Sequence, residues 1–419
     1  MRVLIVNTAE RTGGAAIAAN RLMHALNHNG VETRMLVRDR KTDAPEVVNI
    51  PQSLRLKANF LWERGVIWLA NGLKKQGIFQ VDIANAGTDI TAMPEFQWAD
   101  VIHLHWVNQG FLSLNDLERI LTSGKPVVVT MHDQWYFTGI CHYSGGCDKY
   151  QTQCQHCPML KGGGTWDVAR RVFDRKRAMY QGRNLTFVGC SRWMADMARQ
   201  SRLTQGHTVT NIPNAIDTDV FKPIDKQEAR RRHNLPLDKK LLLFGAQRIT
   251  DERKGFRFLV EACEHIKMHH PTLPDRLGIV VLGGDAQSVK EALPLPVYSV
   301  GYLNNEKEIA ELYNAADLFV TPSLQDNLPN TIVEAMSCGV PCVGFNVGGI
   351  PEMITHRQDG YVADYCDSID FAQGIAWCLD EQRQPALSAA ARAAAVATYS
   401  EQAAAHRYQA IYQSAFTDH

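Results

Sequence analysis

Two short apolar segments, each followed by a loop and the start of a helix, constrain the fold of this chain more than any other feature. Residues 318–320 (LFV) end before Pro322, and residues 341–345 (PCVGF) end before GGIP at 348–351. Proline is favoured in the first turn of a helix, so Pro351 predicts a helix start. Parallel strands that open onto loops and helix N-termini form a crevice at one edge of an α/β sheet. This region therefore predicts a ligand site.

Two carboxylates, Asp326 and Glu334, lie between these apolar segments. The pattern Thr331-x-x-Glu334 predicts a capping box at the start of a helix. On these residues alone, two interpretations are open. The carboxylates either bind a ligand, or Asp326 is only a turn residue and Glu334 only a helix cap.

The length and charge of the chain limit its class. With 419 residues, about two domains are expected. The 44 basic and 44 acidic residues give no net charge, so nothing indicates a nucleic-acid partner. The N-terminal apolar run is too short for a signal peptide, and no segment of about 18 apolar residues occurs. We therefore expect a cytoplasmic protein whose ten cysteines are in a reducing compartment.

Two α/β series divide the chain. The first opens with a strand at 2–7, a turn at Gly13-Gly14 and a helix at 17–27, an arrangement in which small residues let a ligand approach the backbone. The second series begins at Lys239. We therefore predict an α/β fold with two Rossmann-like domains.

The predicted first domain covers residues 1–205, and the C-terminal helix 397–419 is expected to cross back onto it. The second domain covers residues 206–396, after a connection bounded by prolines at 213–223.

Residues 54–79 combine tryptophans and leucines with several cations and one acid, Glu63. A helix of this composition can lie in a membrane interface. The simpler interpretation is a helix, or a pair of helices, packed on the core with solvated cations. Peripheral membrane contact through 54–79 is therefore kept as an alternative.

The apolar run 126–131 ends at His132, next to Asp133. A histidine at the carboxyl end of a parallel strand faces the ligand crevice, so we predict a functional role for His132. His103 and His105 are interpreted as buried histidines that are hydrogen-bonded within the core.

Four cysteines lie within 17 residues, at Cys141, Cys147, Cys154 and Cys157. Four thiolates can close a tetrahedral zinc site, which leaves no position open for a substrate. We therefore predict a structural zinc rather than a catalytic metal. A cluster of free or redox-labile thiols and an iron–sulfur cluster are the alternatives.

Arg248 and Lys254 lie in the loop after the first strand of the second series. Two cations at that position can bind a diphosphate. They can equally be surface charges beside Asp251 and Glu252.

Taken together, the chain resembles the retaining glycosyltransferases of family 4, which have the GT-B fold of two Rossmann-like domains facing a cleft. A subset often found in bacterial surface-polysaccharide assembly also carries His-Asp-x-Trp-x-x-Thr-Gly and clustered cysteines, as residues 132–157 do here. The motifs of the family resemblance are, in order, Gly13-Gly14-Ala15, residues 212–223, Arg248, Lys254-Gly255, Asp326-x7-Glu334 with its continuation to Pro341, and residues 348–352.

The resemblance implies roles for the residues of the second domain. Arg248 and Lys254 would neutralise the leaving diphosphate in place of a metal ion, and Glu334 would accept hydrogen bonds from the ribose. Asp326 would face the donor sugar, and it stands where the family usually has Glu.

The remaining implied donor contacts come from backbone amides and from the first domain. His132 would touch the transferring sugar near its C6 hydroxyl. The other expected donor-binding residues are Gly13, Gly14, Asn327, Leu328, Gly348 and Gly349.

We therefore expect a retaining glycosyltransferase that needs no metal or other cofactor for catalysis. It would move a sugar from a nucleoside diphosphate sugar to a glycan or lipid-linked glycan, in the cytoplasm or at the inner face of the membrane. A GT-B epimerase or phosphorylase is the alternative among enzymes, and a non-catalytic nucleotide-binding scaffold is the alternative of another class.

Overall fold

The protein is represented by a computed structural model. The described residues are 1–51, 54–245, 251–270, 272–284 and 286–417. The chain divides into two compact units. Unit 1 comprises Met1–Ala215 with Ala404–His419, and unit 2 comprises Ile216–Ala403.

Unit 1 is built on a seven-stranded sheet in which every strand pair is parallel. Its strand order is β3-β2-β1-β4-β5-β6-β7. Continuous apolar runs such as Val3 to Val6 are fully buried, as expected for a parallel sheet covered on both faces. The strands are β1 (Arg2–Ala9), β2 (Glu32–Asp39), β3 (Val47–Asn49), β4 (Val101–Leu104), β5 (Val127–Met131), β6 (Leu185–Gly189) and β7 (Thr208–Asn211).

Six helices of unit 1 connect or cover these strands. They are α1 (Gly14–His28), α2 (Leu54–Ala70), α3 (Pro94–Trp98), α4 (Leu114–Leu121), α5 (Val168–Tyr180) and α6 (Arg192–Gln200).

Unit 2 has a six-stranded parallel sheet with the order β10-β9-β8-β11-β12-β13. The strands are β8 (Lys240–Gly245), β9 (Leu277–Leu282), β10 (Val297–Gly301), β11 (Leu318–Thr321), β12 (Cys342–Phe345) and β13 (Gly360–Ala363). The helices are α7 (Lys226–Arg232), α8 (Phe256–His269), α9 (Ala286–Ala292), α10 (Glu306–Ala315), α11 (Asn330–Ser337), α12 (Ile350–Met353), α13 (Ser368–Cys378) and α14 (Gln384–Tyr399).

The last helix, α15 (Glu401–Thr417), returns the chain to unit 1. Tyr412 Oη lies 2.7 Å from Nδ1 of His103, and Tyr408 Oη lies 2.8 Å from Oγ1 of Thr130. All four side chains are buried. The end of the chain therefore supplies part of the core of the first sheet.

The units change at Ala215 and Ala403, whereas the sequence placed the boundaries at 205 and 396. The first difference arises because β7, which follows residue 205, pairs with β6 and so completes the first sheet. No helix in the described part of the chain combines the length and apolar character needed to cross a bilayer.

Candidate functional site

The second sheet places three loops side by side at the carboxyl ends of its central strands. The strand order reverses between β8 and β11, and β12 lies next to β11. Such a reversal is where open α/β sheets bind their ligands. The loops after these three strands carry most of the site residues that were predicted in the second domain.

Lys254 and Asp326, from two of these loops, form an ion pair. Lys254 ends a short 3₁₀ turn after β8, and its Nζ lies 2.8 Å from Oδ2 of Asp326 in the loop after β11. The side chains are 33% and 16% exposed, so the pair is partly accessible to a ligand. Arg248, the other predicted phosphate-binding cation, lies outside the described residues.

Two glycines with positive φ bring the loops into contact. Gly255 has φ +64, and a Cβ there would lie 1.8 Å from the carbonyl oxygen of Pro322. Gly348 has φ +59, and a Cβ there would lie 1.9 Å from the carbonyl oxygen of Asp326. The same oxygen accepts a hydrogen bond from the Gly349 amide at 3.2 Å. Only glycine permits these approaches, and they fix the backbone of Asp326 between two loops.

Glu334 lies in the second turn of α11 and is 7% exposed. The predicted capping box with Thr331 is wrong, because α11 begins at Asn330 with Pro329 as its N-cap. Instead, the buried hydroxyl of Tyr313 donates a hydrogen bond to Oε2 of Glu334 at 2.9 Å. The carboxylate is thus held by a tyrosine of α10 rather than used as a cap.

The other predicted donor-binding residues of unit 2 lie in the same two loops as Asp326 and Gly348. Asn327 and Leu328 follow Asp326 directly and are buried. Gly349 is the N-cap of α12, and Pro351 lies in the first turn of that helix, as the sequence predicted.

The sheet of unit 1 has a similar reversal between β1 and β4, and the loops around it carry the other predicted residues. Gly13 is the N-cap of α1 with φ +91, and Gly14 is the first residue of that helix. No atom lies within 4 Å of a Cβ built at Gly13, so this turn borders open space.

His132 directly follows β5 and belongs to a chain of hydrogen-bonded side chains. Its Nε2 lies 2.8 Å from Nδ1 of His105, and its Nδ1 lies 3.4 Å from Sγ of Cys190. Burial lowers the pKa of His132 to about 4 and that of His103 to about 3, so both rings are neutral near pH 7. His103 is a satisfied buried histidine, bonded through both nitrogens to Tyr412 and Thr130.

A partly buried ion pair beside His132 was missed in the sequence. Asp133 Oδ2 lies 2.7 Å from Nδ1 of His142 and also accepts a hydrogen bond from the indole of Trp106 at 2.9 Å. Burial would raise the pKa of Asp133, but His142 holds it below its ordinary value. Burial would likewise lower the pKa of His142, but Asp133 raises it. Only two signals of this ion pair were present in the sequence: Asp133 follows His132 directly, and His142 lies nine positions after Asp133.

The four cysteines of the predicted zinc site line one small cavity of about 20 Å³. Burial raises the pKa of Cys141 and of Cys154 to about 12 and that of Cys157 to about 11, so these thiols are protonated near pH 7. Within the described ranges, no three His, Cys, Asp or Glu side chains are arranged to hold a metal ion. The side chains as placed thus share a cavity without forming a coordination site, and the zinc stays a prediction.

Comparison with known proteins gives the class of the chain. Residues 12–220 match the family model described as Glycosyltransferase Family 4, and residues 238–381 match the model described as Glycosyl transferases group 1. A D-inositol 3-phosphate glycosyltransferase from Thermobispora bispora is 28% identical over 218 residues, which cover 49% of this chain and 50% of that protein. The matched region thus spans about half the length of this relative.

Solved structures share the fold over nearly the whole chain. Sucrose-phosphate synthase from Thermosynechococcus elongatus superposes with a TM-score of 0.68 at 20% identity, covering 100% of both chains. The Anabaena protein HepE in complex with UDP-glucose superposes with a TM-score of 0.63 at 17% identity, covering 99% of this chain and 100% of that one.

Two parallel, Rossmann-like sheets with these structural neighbours define the GT-B class of fold. Within that class, the chain belongs to the family 4 glycosyltransferases.

Proposed function

We propose that this protein is a retaining, metal-independent glycosyltransferase. It would move a sugar from a nucleoside diphosphate sugar to a glycan or lipid-linked glycan acceptor. The observation that carries the proposal is the placement of Lys254, Asp326, Gly348 and the buried Glu334 around the strand reversal of unit 2. The UDP-glucose complex of the Anabaena protein supports a nucleotide-sugar donor for this fold.

The proposed mechanism stabilises the leaving diphosphate. Lys254, with Arg248, is proposed to neutralise the charge that develops when the bond between the sugar C1 and the diphosphate breaks. The ion pair with Asp326 places the Lys254 ammonium at the carboxyl edge of the sheet before the donor arrives. The acceptor oxygen would then bond to C1 on the same face of the sugar, through an oxocarbenium-like state.

The other donor contacts are proposals that the geometry of the loops supports. Glu334, oriented by Tyr313, is proposed to accept hydrogen bonds from the ribose hydroxyls. Asp326 is proposed to face the donor sugar, with the backbone amides of residues 327–328 and 348–349. His132 is proposed to contact the transferring sugar as a neutral imidazole, because burial lowers its pKa.

The proposed setting is bacterial surface-polysaccharide biosynthesis in the cytoplasm, at the inner face of a membrane. It is supported by the motif at residues 132–157 and by the composition of residues 54–79. A lipid-linked acceptor is the form of substrate that such a setting provides.

A structural zinc in the cysteine loop is also proposed, separately from catalysis. The shared cavity of Cys141, Cys147, Cys154 and Cys157 supports it. No catalytic step depends on this metal.

A screen of nucleoside diphosphate sugars tests the transferase proposal, with hydrolysis of the donor followed by mass spectrometry. We expect slow hydrolysis of one donor, which Lys254→Met abolishes. A nucleotide-sugar isomer formed without acceptor would instead indicate an epimerase, and turnover that requires orthophosphate a phosphorylase. Nucleotide binding with no turnover of any donor would favour the non-catalytic scaffold.

A further inference from the structure

Helix α2 presents a stripe of large apolar side chains outward. Leu54, Leu61, Trp62 and Leu69 are between 62% and 85% exposed. At 3.6 residues per turn these four positions fall within about 100° of the helix surface. The buried residues of the helix lie on the opposite side, and they are Leu56, Glu63, Arg64 and Ile67. An ordinary surface helix turns its apolar stripe towards the core, whereas α2 leaves one exposed.

Buried hydrogen bonds of two polar side chains explain how the helix is held without burying that face. Arg64 donates to the carbonyl oxygen of Ile78 at 2.6 Å and to Asp82 at 2.9 Å. Glu63 accepts a hydrogen bond from the amide of Ala84 at 2.6 Å. The buried polar contacts anchor α2 to the following segment, so the apolar stripe is not needed for its attachment.

Exposed apolar side chains continue beyond the end of the helix. Leu73 is 58% exposed and Phe79 is 59% exposed. We call the six side chains together the α2 apolar surface, which consists of Leu54, Leu61, Trp62, Leu69, Leu73 and Phe79. Exposed groups of this size mark an interaction site in a soluble domain.

The exposed charged side chains of residues 54–79 are all positive. Arg55 and Lys57 fall on either side of the helical stripe, and Lys74 and Lys75 follow the helix; all four are exposed. Glu63, the only acid of residues 54–79, is buried. Lys161 lies beside Lys74: its backbone amide donates to Asn71 at 3.1 Å, and the neighbouring Lys74 lowers its pKa.

We propose that the α2 apolar surface docks onto a bilayer that contains anionic phospholipid, with the surrounding lysines and arginines at the headgroup phosphates. Trp and Leu on one face flanked by cations are the side chains that such an interface binds. A protein partner of ordinary composition would leave the cations at both ends of this surface without counter-charges. The inference deepens the proposed membrane setting, but vesicle binding needs no turnover, so the docking and transferase proposals fail independently.

The test is sedimentation of the full chain with vesicles of pure phosphatidylcholine and with vesicles that contain about one third phosphatidylglycerol. We expect binding to the anionic vesicles that weakens at high salt. The double variant Trp62→Glu, Leu69→Glu should bind at least about tenfold more weakly, because two apolar anchors become charged. Lys74→Gln with Lys75→Gln should weaken binding and reduce its salt dependence.

Met268→Glu is the matched control, since Met268 is 71% exposed in unit 2, and it should bind vesicles like the wild type. Thermal unfolding of each variant checks that the fold is intact. The proposal is overturned if the wild type binds neither vesicle, if it binds both equally, or if the double variant binds as well as the wild type. Self-association that the double variant abolishes, without vesicle binding, would assign the surface to a second copy of the chain.

Discussion

Lys254 Nζ lies 2.8 Å from Oδ2 of Asp326, so two residues 72 positions apart form one ion pair at the carboxyl edge of the second sheet. Asp326 is also the residue at which this chain departs from the family pattern. The shorter carboxylate holds the cation that the proposed mechanism assigns to the diphosphate. Donor binding would therefore replace the Asp326 carboxylate with the diphosphate as the partner of Lys254.

Removal of the Lys254 charge tests this role. We expect Lys254→Met to lower kcat/KM for donor hydrolysis by about 100-fold or more, because one lost electrostatic contact to a leaving group costs that much. The matched control is Arg276→Ala, which breaks an exposed ion pair with Glu381 in the same unit. Surface pairs of this kind contribute little, so the control should keep its activity. Equal effects of the two changes would contradict the role of Lys254.

Gly348→Ala tests the contact between the loops after β11 and β12. A Cβ at this position meets the carbonyl oxygen of Asp326 at 1.9 Å, whereas one at Gly301 meets nothing within 4 Å. Both glycines have positive φ, so Gly301→Ala introduces backbone strain of about 1 kcal/mol without the steric clash. We expect thermal denaturation to show a Tm for Gly348→Ala at least about 4 °C below that of Gly301→Ala. Calorimetry with the nucleoside diphosphate of the donor that the screen identifies should show weaker binding only for Gly348→Ala. If the two variants had the same Tm and the same affinity for the nucleotide, the loop would accommodate the added methyl group, and the contact would have no role in binding.

Tyr313→Phe tests the orientation of Glu334. The change removes the 2.9 Å hydrogen bond while keeping the buried ring. A hydrogen bond to a charged group contributes about 1.5–3 kcal/mol, so we expect KM for the donor to rise about tenfold while kcat changes little. Tyr302→Phe is the control, because Tyr302 is exposed in the same unit. A fall in kcat at constant KM would show that the tyrosine acts elsewhere.

Glu63→Gln tests the buried charges beneath α2. Burial, with the neighbouring Asp82, raises the pKa of Glu63 from 4.5 to about 9. Between these values the folded protein holds a proton that the unfolded chain releases, so its stabilisation is complete below about pH 4.5 and is lost as the pH rises towards 9. Glutamine has no proton to lose. Between about pH 5.5 and pH 8.5, we therefore expect the free energy of unfolding to fall by at least about 1 kcal/mol less in the variant than in the wild type, which corresponds to about 2–4 °C in Tm.

The control for this pH experiment is Glu32→Gln, because Glu32 is exposed in the same unit. It should follow the wild type at every pH. A Glu63→Gln variant whose Tm falls in parallel with the wild type would show that Glu63 is charged in the folded state.

Metal analysis tests the cysteine loop. We expect about one zinc per purified chain, bound by four cysteine thiolates. Cys154→Ser with Cys157→Ser should remove it, and Cys366→Ser, at an exposed cysteine of unit 2, should not. A metal content below about a third per chain would leave the loop as a cluster of free thiols.

Sequence periodicity was sufficient for the fold because parallel strands are buried on both faces. The apolar runs at residues 127–129 and 318–320 both lie in strands. Helix α2 shows where this reasoning fails. Apolar residues occur on all sides of it between the charges, so the sequence does not show which face is buried, whereas the contact of Arg64 with Asp82 does.

The site was predictable in its residue types but not in its pairings. The family motifs identified Lys254 and Asp326 separately, and their ion pair depends on the order of β8 and β11 in the sheet. Tyr313 belongs to no sequence motif, and its hydrogen bond to Glu334 is seen only in the folded structure. The capping box was wrong because Pro329 starts α11 earlier than the Thr331 pattern implies.

The return of α15 to unit 1 has a consequence for synthesis of the protein. His103 and Thr130 hydrogen-bond to the hydroxyl groups of Tyr412 and Tyr408, which lie 309 and 278 residues further along the chain. At about 5–20 residues per second, a ribosome needs roughly 15–60 s to make that intervening chain. During that time His103 and Thr130 can bond to each other but lack the two tyrosine hydroxyls, and unit 2 can fold before unit 1 is complete. The unit that is synthesised first is thus the last to be completed.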